Sequence, residues 1–253
     1  MEIAHGIHVI DRVRGGNVYL LTGARLALID TGMPGNAPRI LDFIGNLGRE
    51  PAELSHVIIT HGHIDHAGSA AELRRLTGAQ VVAHRDEVTV APDMSYVLEA
   101  ASSRLKSPIL RALSRFGRFE TCPVDLMVAD GDRLLGLEDM QVIHTPGHTN
   151  GSMCLLLDTQ EVLFVGDVII SNRERLSRPL PFGGDREASE RSLARLTQLT
   201  FETCCFGHGP PITSHASEMV TRLASSPSGT PLWRRMILRR RDLAGFGVRL
   251  WKK

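Results

Sequence analysis

Apolar positions in the first thirty residues fall in short runs, IHVI at 7–10, NVYLL at 17–21 and LALID at 26–30, with Gly15-Gly16 and Gly23 between them. Runs of this length at about ten-residue spacing predict a meander of antiparallel strands. The period then changes. Ile40, Leu41, Phe43, Ile44 and Leu47 recur at helical spacing over 38–47, and Gly48 follows as a stop. Residues 54–60 read as a strand, 67–76 as a second helix before Gly78, and 80–83 as a strand. Strand and helix now alternate, which predicts a mixed sheet covered by helices.

Residues 85–120 differ from both neighbours. Positions 96–119 carry amphipathic helical patterning rich in Arg and Leu, interrupted by Pro108, which should kink or break a helix. Such a helical insertion is either a lid over a site or an extra packed helical pair. Strand signals resume at 126–129, 140–144, 153–157 and 162–165, a helix is predicted over 186–199 with Leu193, Leu196 and Leu199 on one stripe, and a last strand over 201–206. The architecture expected is α+β, with one domain over 1–226 followed by a distinct segment over 227–253.

Charge sets that segment apart, since 227–253 holds eight Lys or Arg against one Asp while the chain as a whole is close to neutral. Its basic and bulky residues, including both tryptophans (Trp233 and Trp251), suit either a surface meeting anionic membrane or a partner, or a C-terminal helix packed on the body or on a second subunit. Cys122, Cys154, Cys204 and Cys205 show no C-x-x-C spacing, which fits reduced, buried thiols. The opening MEIAHGIHVIDRVRGG lacks the basic and apolar regions of a secretory signal, and no apolar run approaches the roughly 20 residues that span a bilayer, so a cytoplasmic location is expected.

The chemistry is concentrated in THGHIDHAG at 60–68, where His61, His63, Asp65 and His66 follow the apolar run at 57–59. Neutral imidazole and carboxylate hold zinc and similar metals, and a strand ending in such a cluster presents several donors from one stiff edge. Further donors recur in the same kind of place, a glycine-containing loop just past a predicted strand: His148 in TPGHTNGS, Asp167 in GD and His208 in GHG. Seven donors are too many for one tetrahedral ion and suit two ions sharing a carboxylate, for which Asp167 is the best bridge. Asp30, closing the run at 26–30, is either a plain turn former or a carboxylate that orients a ligand histidine. The remaining histidines (His5, His8, His56, His84, His144 and His215) are assigned no role, and Tyr19 is expected in the core.

The motifs H-x-H-x-D-H at 61–66, T-P-G-H at 145–148, G-D at 166–167 and G-H-G at 207–209 resemble, in order and spacing, the metallo-β-lactamase-fold hydrolase superfamily. The resemblance covers residues 7 to about 215. It implies a four-layer αββα sandwich of two mixed β-sheets flanked by helices, with the site at one edge of the sheets. It also implies His61, His63 and His148 on a first metal, Asp65, His66 and His208 on a second, and Asp167 bridging, with Asp30 placed like a carboxylate near a ligand histidine. Two divalent ions are the implied cofactors, zinc foremost, with iron or manganese admitted by the same ligands.

Two such ions support hydrolysis by a hydroxide held between them, because metal binding lowers the pKa of water towards about 7. Asp167 and Asp65 would then be the catalytic carboxylates, Asp65 passing a proton to the leaving group. The ligand set is similar to that of glyoxalase II, but the basic residues which that family uses for glutathione are not evident at 203–209. Acyl-homoserine lactonases of this fold place a tyrosine after the bridging Asp where Val168-Ile169-Ile170 stands here, and true β-lactamases generally lack that Asp. The expected substrate is a small carboxylic ester, thioester or lactone, with a β-lactam or phosphodiester, or a non-catalytic metal role, as the alternatives. No nucleic-acid partner is expected, and a homo-oligomer is compatible with the sequence.

Overall fold

The computed structural model describes residues 1–87, 120–134, 137, 140–172, 175–178 and 184–226. Strands β1 (Glu2–Ala4), β2 (Ile7–Val9), β3 (Tyr19–Thr22) and β4 (Leu26–Ile29) pair antiparallel in succession, which is the expected meander with one further strand at its start. Beyond β4 the pairing turns parallel through β5 (Leu54–Ile58), β6 (Gln80–His84) and β7 (Leu126–Val128), completing a seven-stranded sheet in sequence order. Helix α1 (Ala37–Asn46) lies in the crossover from β4 to β5, and α2 (Ile64–Ala67) and α3 (Ala70–Thr77) in that from β5 to β6.

Strands β8 (Arg133–Leu134), β9 (Met140–His144), β10 (Met153–Leu157) and β11 (Val162–Phe164) form a second sheet, and β12 (Ile170–Asn172) and β13 (Arg175–Ser177) a separate hairpin. The last strand, β14 (Thr203–Cys205), joins the second sheet beside β11, giving the order β14-β11-β10-β9-β8. Its pairs are antiparallel except β11 with β14. Helices α4 (Arg186–Leu196) and α5 (Ala216–Ser225) lie on this sheet's outer side.

Side-chain alternation divides the buried residues into three layers of core. Leu20, Leu28, Val57 and Val81 face Ile40, Ile44 and Leu73 of the helices. Their neighbours Leu21, Ile29, Ile58 and Val82 meet Val142, Leu155, Leu157 and Phe164 between the sheets. On the far side Cys154, Leu156 and Leu163 pack against Leu193, Leu196 and Val220. This is the αββα sandwich.

Three of the boundaries that differ from expectation have a visible cause. The helix expected over 67–76 is two: α2 starts within the histidine cluster, and a break at Gly68-Ser69 is fixed by bonds from Gly68 N–H to the Gly32 carbonyl (2.9 Å) and from Ser69 Oγ to the Met33 carbonyl (2.8 Å). Strand β5 stops two residues short of Thr60 because the Thr60 N–H is taken by the Asp30 side chain at 2.8 Å instead of by a neighbouring strand. Helix α4, capped by Asp185, ends at Leu196 rather than 199, where residues 197–199 tighten into turns. Strand β8, the β12-β13 hairpin and α5 had no counterpart in the sequence reading. The helical insertion expected over 85–120 falls mainly on 88–119 and the basic segment is 227–253, and these lie outside the described residues.

Phe164 tests the inter-sheet layer, being 1% exposed and edge-to-face with Tyr19 at 5.3 Å between ring centroids. Replacing it by alanine should cost about 3–5 kcal/mol in denaturant unfolding. A loss well below this range would show that the sheets do not close tightly there.

Candidate metal centre

All seven sequence-identified donors come together at one edge of the sandwich. His61 and His63 follow β5, Asp65 and His66 lie in α2, His148 is in the β9–β10 loop, Asp167 follows β11 and His208 follows β14. Backbone bonds hold these strand ends together: Met153 N–H to the Thr60 carbonyl (3.0 Å), Gly207 N–H to Gly166 (2.8 Å), and Ser171 N–H to His208 (3.0 Å). A strut from β3 supports the last loop, with Asn17 Nδ2 donating to the carbonyls of Phe206 (2.9 Å) and Gly209 (2.6 Å), and the Tyr19 hydroxyl donating to Phe206 (2.8 Å). Gly207 is needed at its position, because a Cβ there would collide with Asp167 Oδ1 and come within 2.8 Å of His66.

The donors form three overlapping groups, His61/His63/His148, His61/His66/Asp167 and Asp65/His66/His208, with one ligand atom of each residue within 4.8 Å of the others in its group. Asp167 stands between the outer two, its Oδ2 being 3.5 Å from His148 Nε2 and 3.4 Å from His208 Nε2, and its Oδ1 3.5 Å from His66 Nε2. His148 Nε2 lies 2.9 Å from His63 Nδ1, and His66 Nε2 lies 3.2 Å from His208 Nε2.

Asp30 governs two tautomers at once. Its Oδ2 accepts from His66 Nδ1 at 2.8 Å, so the proton of that ring sits on Nδ1 and Nε2 faces the centre. Asp30 also accepts the Thr60 hydroxyl proton (2.8 Å to Oδ2), which leaves the Thr60 oxygen to accept from His61 Nδ1–H at 3.1 Å. His61 Nε2 is thereby a bare lone pair. Of the two readings of Asp30, the geometry bears out the orienting carboxylate.

Burial and neighbouring charge divide the site electrostatically. Burial, reinforced by the His66 and His148 rings, holds His61 well below its ordinary pKa, and burial lowers His148 to about 4. Burial would also depress His66 and His208, but the carboxylates prevail. Asp167, Asp30 and Asp65 raise His66 to about 9, and hydrogen bonds to Asp167 and Asp65 raise His208 to about 10. Against its own burial, Asp65 is drawn down to about 2 by His208 and His66, and Asp167 is held well below the usual carboxylate range.

A further group, His84, Asp86 and His144, lies within similar distances but does not converge. The two rings stack in parallel at 3.8 Å and 10°, His144 Nε2 donates to the Asn150 carbonyl (2.8 Å), and His84 Nδ1 accepts from Asp86 N–H (3.2 Å). Two of the ring nitrogens are thus engaged, whereas buried His84 Nε2 has no hydrogen-bond partner. The cysteines offer no nucleophile either: all four are buried, and burial pushes Cys122 up to about 11 and Cys154 to about 12. The sequence reading passed over Thr60, Asn17 and Glu87, whose carboxylate accepts from Gly62 and Gly151 N–H and from the Thr149 hydroxyl. The only available sign for Glu87 was the one used for Asp30, an acidic residue just past a strand.

Comparison with known proteins agrees with this geometry. The model of the metallo-beta-lactamase superfamily matches residues 11–208. The probable metallo-hydrolase YflN of Bacillus subtilis (strain 168) is 30% identical over 248 residues, covering 88% of this chain and 93% of its own. An N-acyl homoserine lactonase of Bacillus sp is 26% identical over 212 residues, covering 72% of this chain and 75% of its own. A crystal structure of a metallo-beta-lactamase family protein from Thermus thermophilus superposes with a TM-score of 0.68 at 22% identity, over 96% of this chain and 83% of that one. Among the described residues no helix is long and apolar enough to cross a membrane. By its matched length, its sandwich and its ordered donors, the chain belongs to the metallo-beta-lactamase superfamily.

Proposed function

We propose that this metallo-hydrolase uses a dinuclear centre to cleave an ester-type bond, that of a carboxylic ester, thioester or lactone, in a small substrate. The observation that carries the reading is a pair of buried atoms without hydrogen-bond partners, His61 Nε2 and Asp167 Oδ1, in a site where every other line of argument points to cation ligands. An unpartnered buried acceptor costs stability unless something fills it. Two divalent cations fit: His61, His63 and His148 would hold one, Asp65, His66 and His208 the other, with Asp167 shared. An all-nitrogen-and-oxygen donor set suits zinc first and admits iron or manganese.

Bound there, two such ions supply Lewis acidity towards an acyl oxygen and acidify water enough to provide a nucleophile at neutral pH. The chain's own residues set the stage for that chemistry. Asp30 and Thr60 orient His66 and His61, and Asp167 keeps the two donor groups at a fixed separation. Asp65, whose Oδ2 lies 3.2 Å from His208 Nε2, would take up a proton and hand it to a leaving group. The lactonase among the relatives supports an ester-type bond, and the absence of an accessible thiol among the described residues fits hydrolysis without a covalent enzyme intermediate.

Metal-loaded protein offered a thioester, an aliphatic lactone, an aryl ester, a β-lactam and a phosphodiester should turn over the acyl esters preferentially. Asp167→Ala and chelated enzyme should both lose more than the ~10–100-fold that removal of an outer-sphere partner costs. Preference for the β-lactam or phosphodiester would overturn the substrate assignment, and full activity after chelation would overturn the metal reading.

Protonation gives a second check. His66 and His208, with pKa values near 9 and 10 in the metal-free site, carry protons at pH 7 that cation binding must expel, whereas His61 and His148 are already neutral. Metal uptake at pH 7 should therefore release more than one proton per protein, read by indicator dye in weak buffer, and the release should shrink as the starting pH approaches 10. The same shifts fix a stability trend for metal-free protein. Both pKa values are raised above the ordinary 6.5, so the stabilisation from these two histidines is complete below about pH 6.5 and is lost as pH rises through about 9 to 10.

A further inference from the structure

We infer that Glu87 is a positioning residue for the first metal, joining the two chain segments that carry His61, His63 and His148; the inference rests on the dinuclear reading above. Its Oε1 accepts from Gly62 N–H at 2.7 Å, and Gly62 lies between His61 and His63. Its Oε2 accepts from the Thr149 hydroxyl at 2.8 Å and from Gly151 N–H at 3.0 Å, in the loop that presents His148. One segment follows β5 of the first sheet and the other precedes β10 of the second. A single carboxylate thus spans the two sheets at the point where three ligands must converge.

The carboxylate is itself firmly mounted. Glu87 N–H donates to the His84 carbonyl at 2.8 Å, in a turn where Asp86 N–H also meets His84 Nδ1. The His84 ring stacks on His144, which grips the Asn150 carbonyl between Thr149 and Gly151. Gly151 completes the fit, since a Cβ there would collide with the Glu87 backbone nitrogen. The parallel His84/His144 stack therefore acts as the footing of the Glu87 turn.

The contacts explain why the effect should be selective. Charge-assisted bonds from three donors to one carboxylate are among the stronger polar contacts in proteins, and metal–ligand distances hold within about 0.2 Å of their usual values. The second group is braced separately, through Asp30 on His66 and through Asn17 and Ser171 on the His208 loop. Removing Glu87 should loosen His63 and His148 relative to each other and leave Asp65, His66 and His208 in place.

The test uses the full chain, stripped of metal, as wild type, Glu87→Ala, Glu87→Gln and His148→Ala. Each is titrated with Zn2+ against a chromophoric chelator and with Co2+ by visible absorption, with far-UV circular dichroism as the check on folding. Glu87→Ala should bind one ion as wild type does and the other ~10–100-fold more weakly, with an altered Co2+ spectrum for that site alone. Glu87→Gln should fall between, since its amide oxygen can still accept from Gly62 while its NH2 opposes the Gly151 N–H. Two ions bound with wild-type affinity and spectrum in either variant, or both sites weakened equally, would overturn the inference. If Glu87→Ala does not fold, the glutamine variant decides by the same criteria. The underlying reading fails differently: wild-type protein would bind fewer than two ions, or His148→Ala would keep both.

Discussion

The site depends on one buried carboxylate. Asp30 is 2% exposed and sits at φ +58°, a left-handed conformation that a non-glycine residue adopts at a cost of order 1–3 kcal/mol. A charge so placed is unfavourable unless it is fully hydrogen-bonded, and Thr60 N–H, the Thr60 hydroxyl and His66 Nδ1–H together meet that demand. The same three bonds end β5, turn the chain into the histidine cluster, and fix the tautomers of His66 directly and of His61 through Thr60. One histidine from each outer donor group is therefore set by one acid that belongs to none of the three groups.

Convergence of the other donors follows from strand geometry. Parallel pairing of β4 with β5 and of β11 with β14 brings the ends of these strands to one edge, so residues far apart in sequence meet without long loops. The resulting charge is held by exchange. In metal-free protein, Asp30, Asp65 and Asp167 surround two protonated histidines, His66 and His208, which neutralise most of the buried negative charge. Cations displacing those protons would meet an anionic cradle already paired, which couples metal binding to pH.

Much of this was legible in the sequence, for a physical reason. The period-two and helical runs report burial, and the glycine-flanked donors report strand ends where backbone must pass close to a ligand. The sandwich and the seven donors followed from those signals and from the family resemblance. What escaped were contacts made through backbone groups. Glu87 and Asn17 act on N–H and carbonyl groups of distant loops, so no residue type at the far end marks the partnership. The start of α2 was missed because His63 to Ala67 lacks the apolar periodicity that announces a helix, its first turn being given over to ligands. The β12-β13 hairpin was passed over because its strands are short and its pairing is local.

Contact with solvent divides the seven donors. His61 and His66 are 1% and 0% exposed, and the side chains of His148 and Asp167 only 6% and 9%. The Asp65 and His208 side chains are 22% and 33% exposed. His63 is likewise only partly buried, so the donor cluster meets solvent along His63, Asp65 and His208, while Asp30 and Thr60, each 2% exposed, stand behind it. This separates two kinds of constraint. Residues behind the centre answer to the geometry of the donors they orient. Under the proposed reading, selection of the bond to be cleaved falls to side chains around the partly exposed donors and not to those behind the cluster.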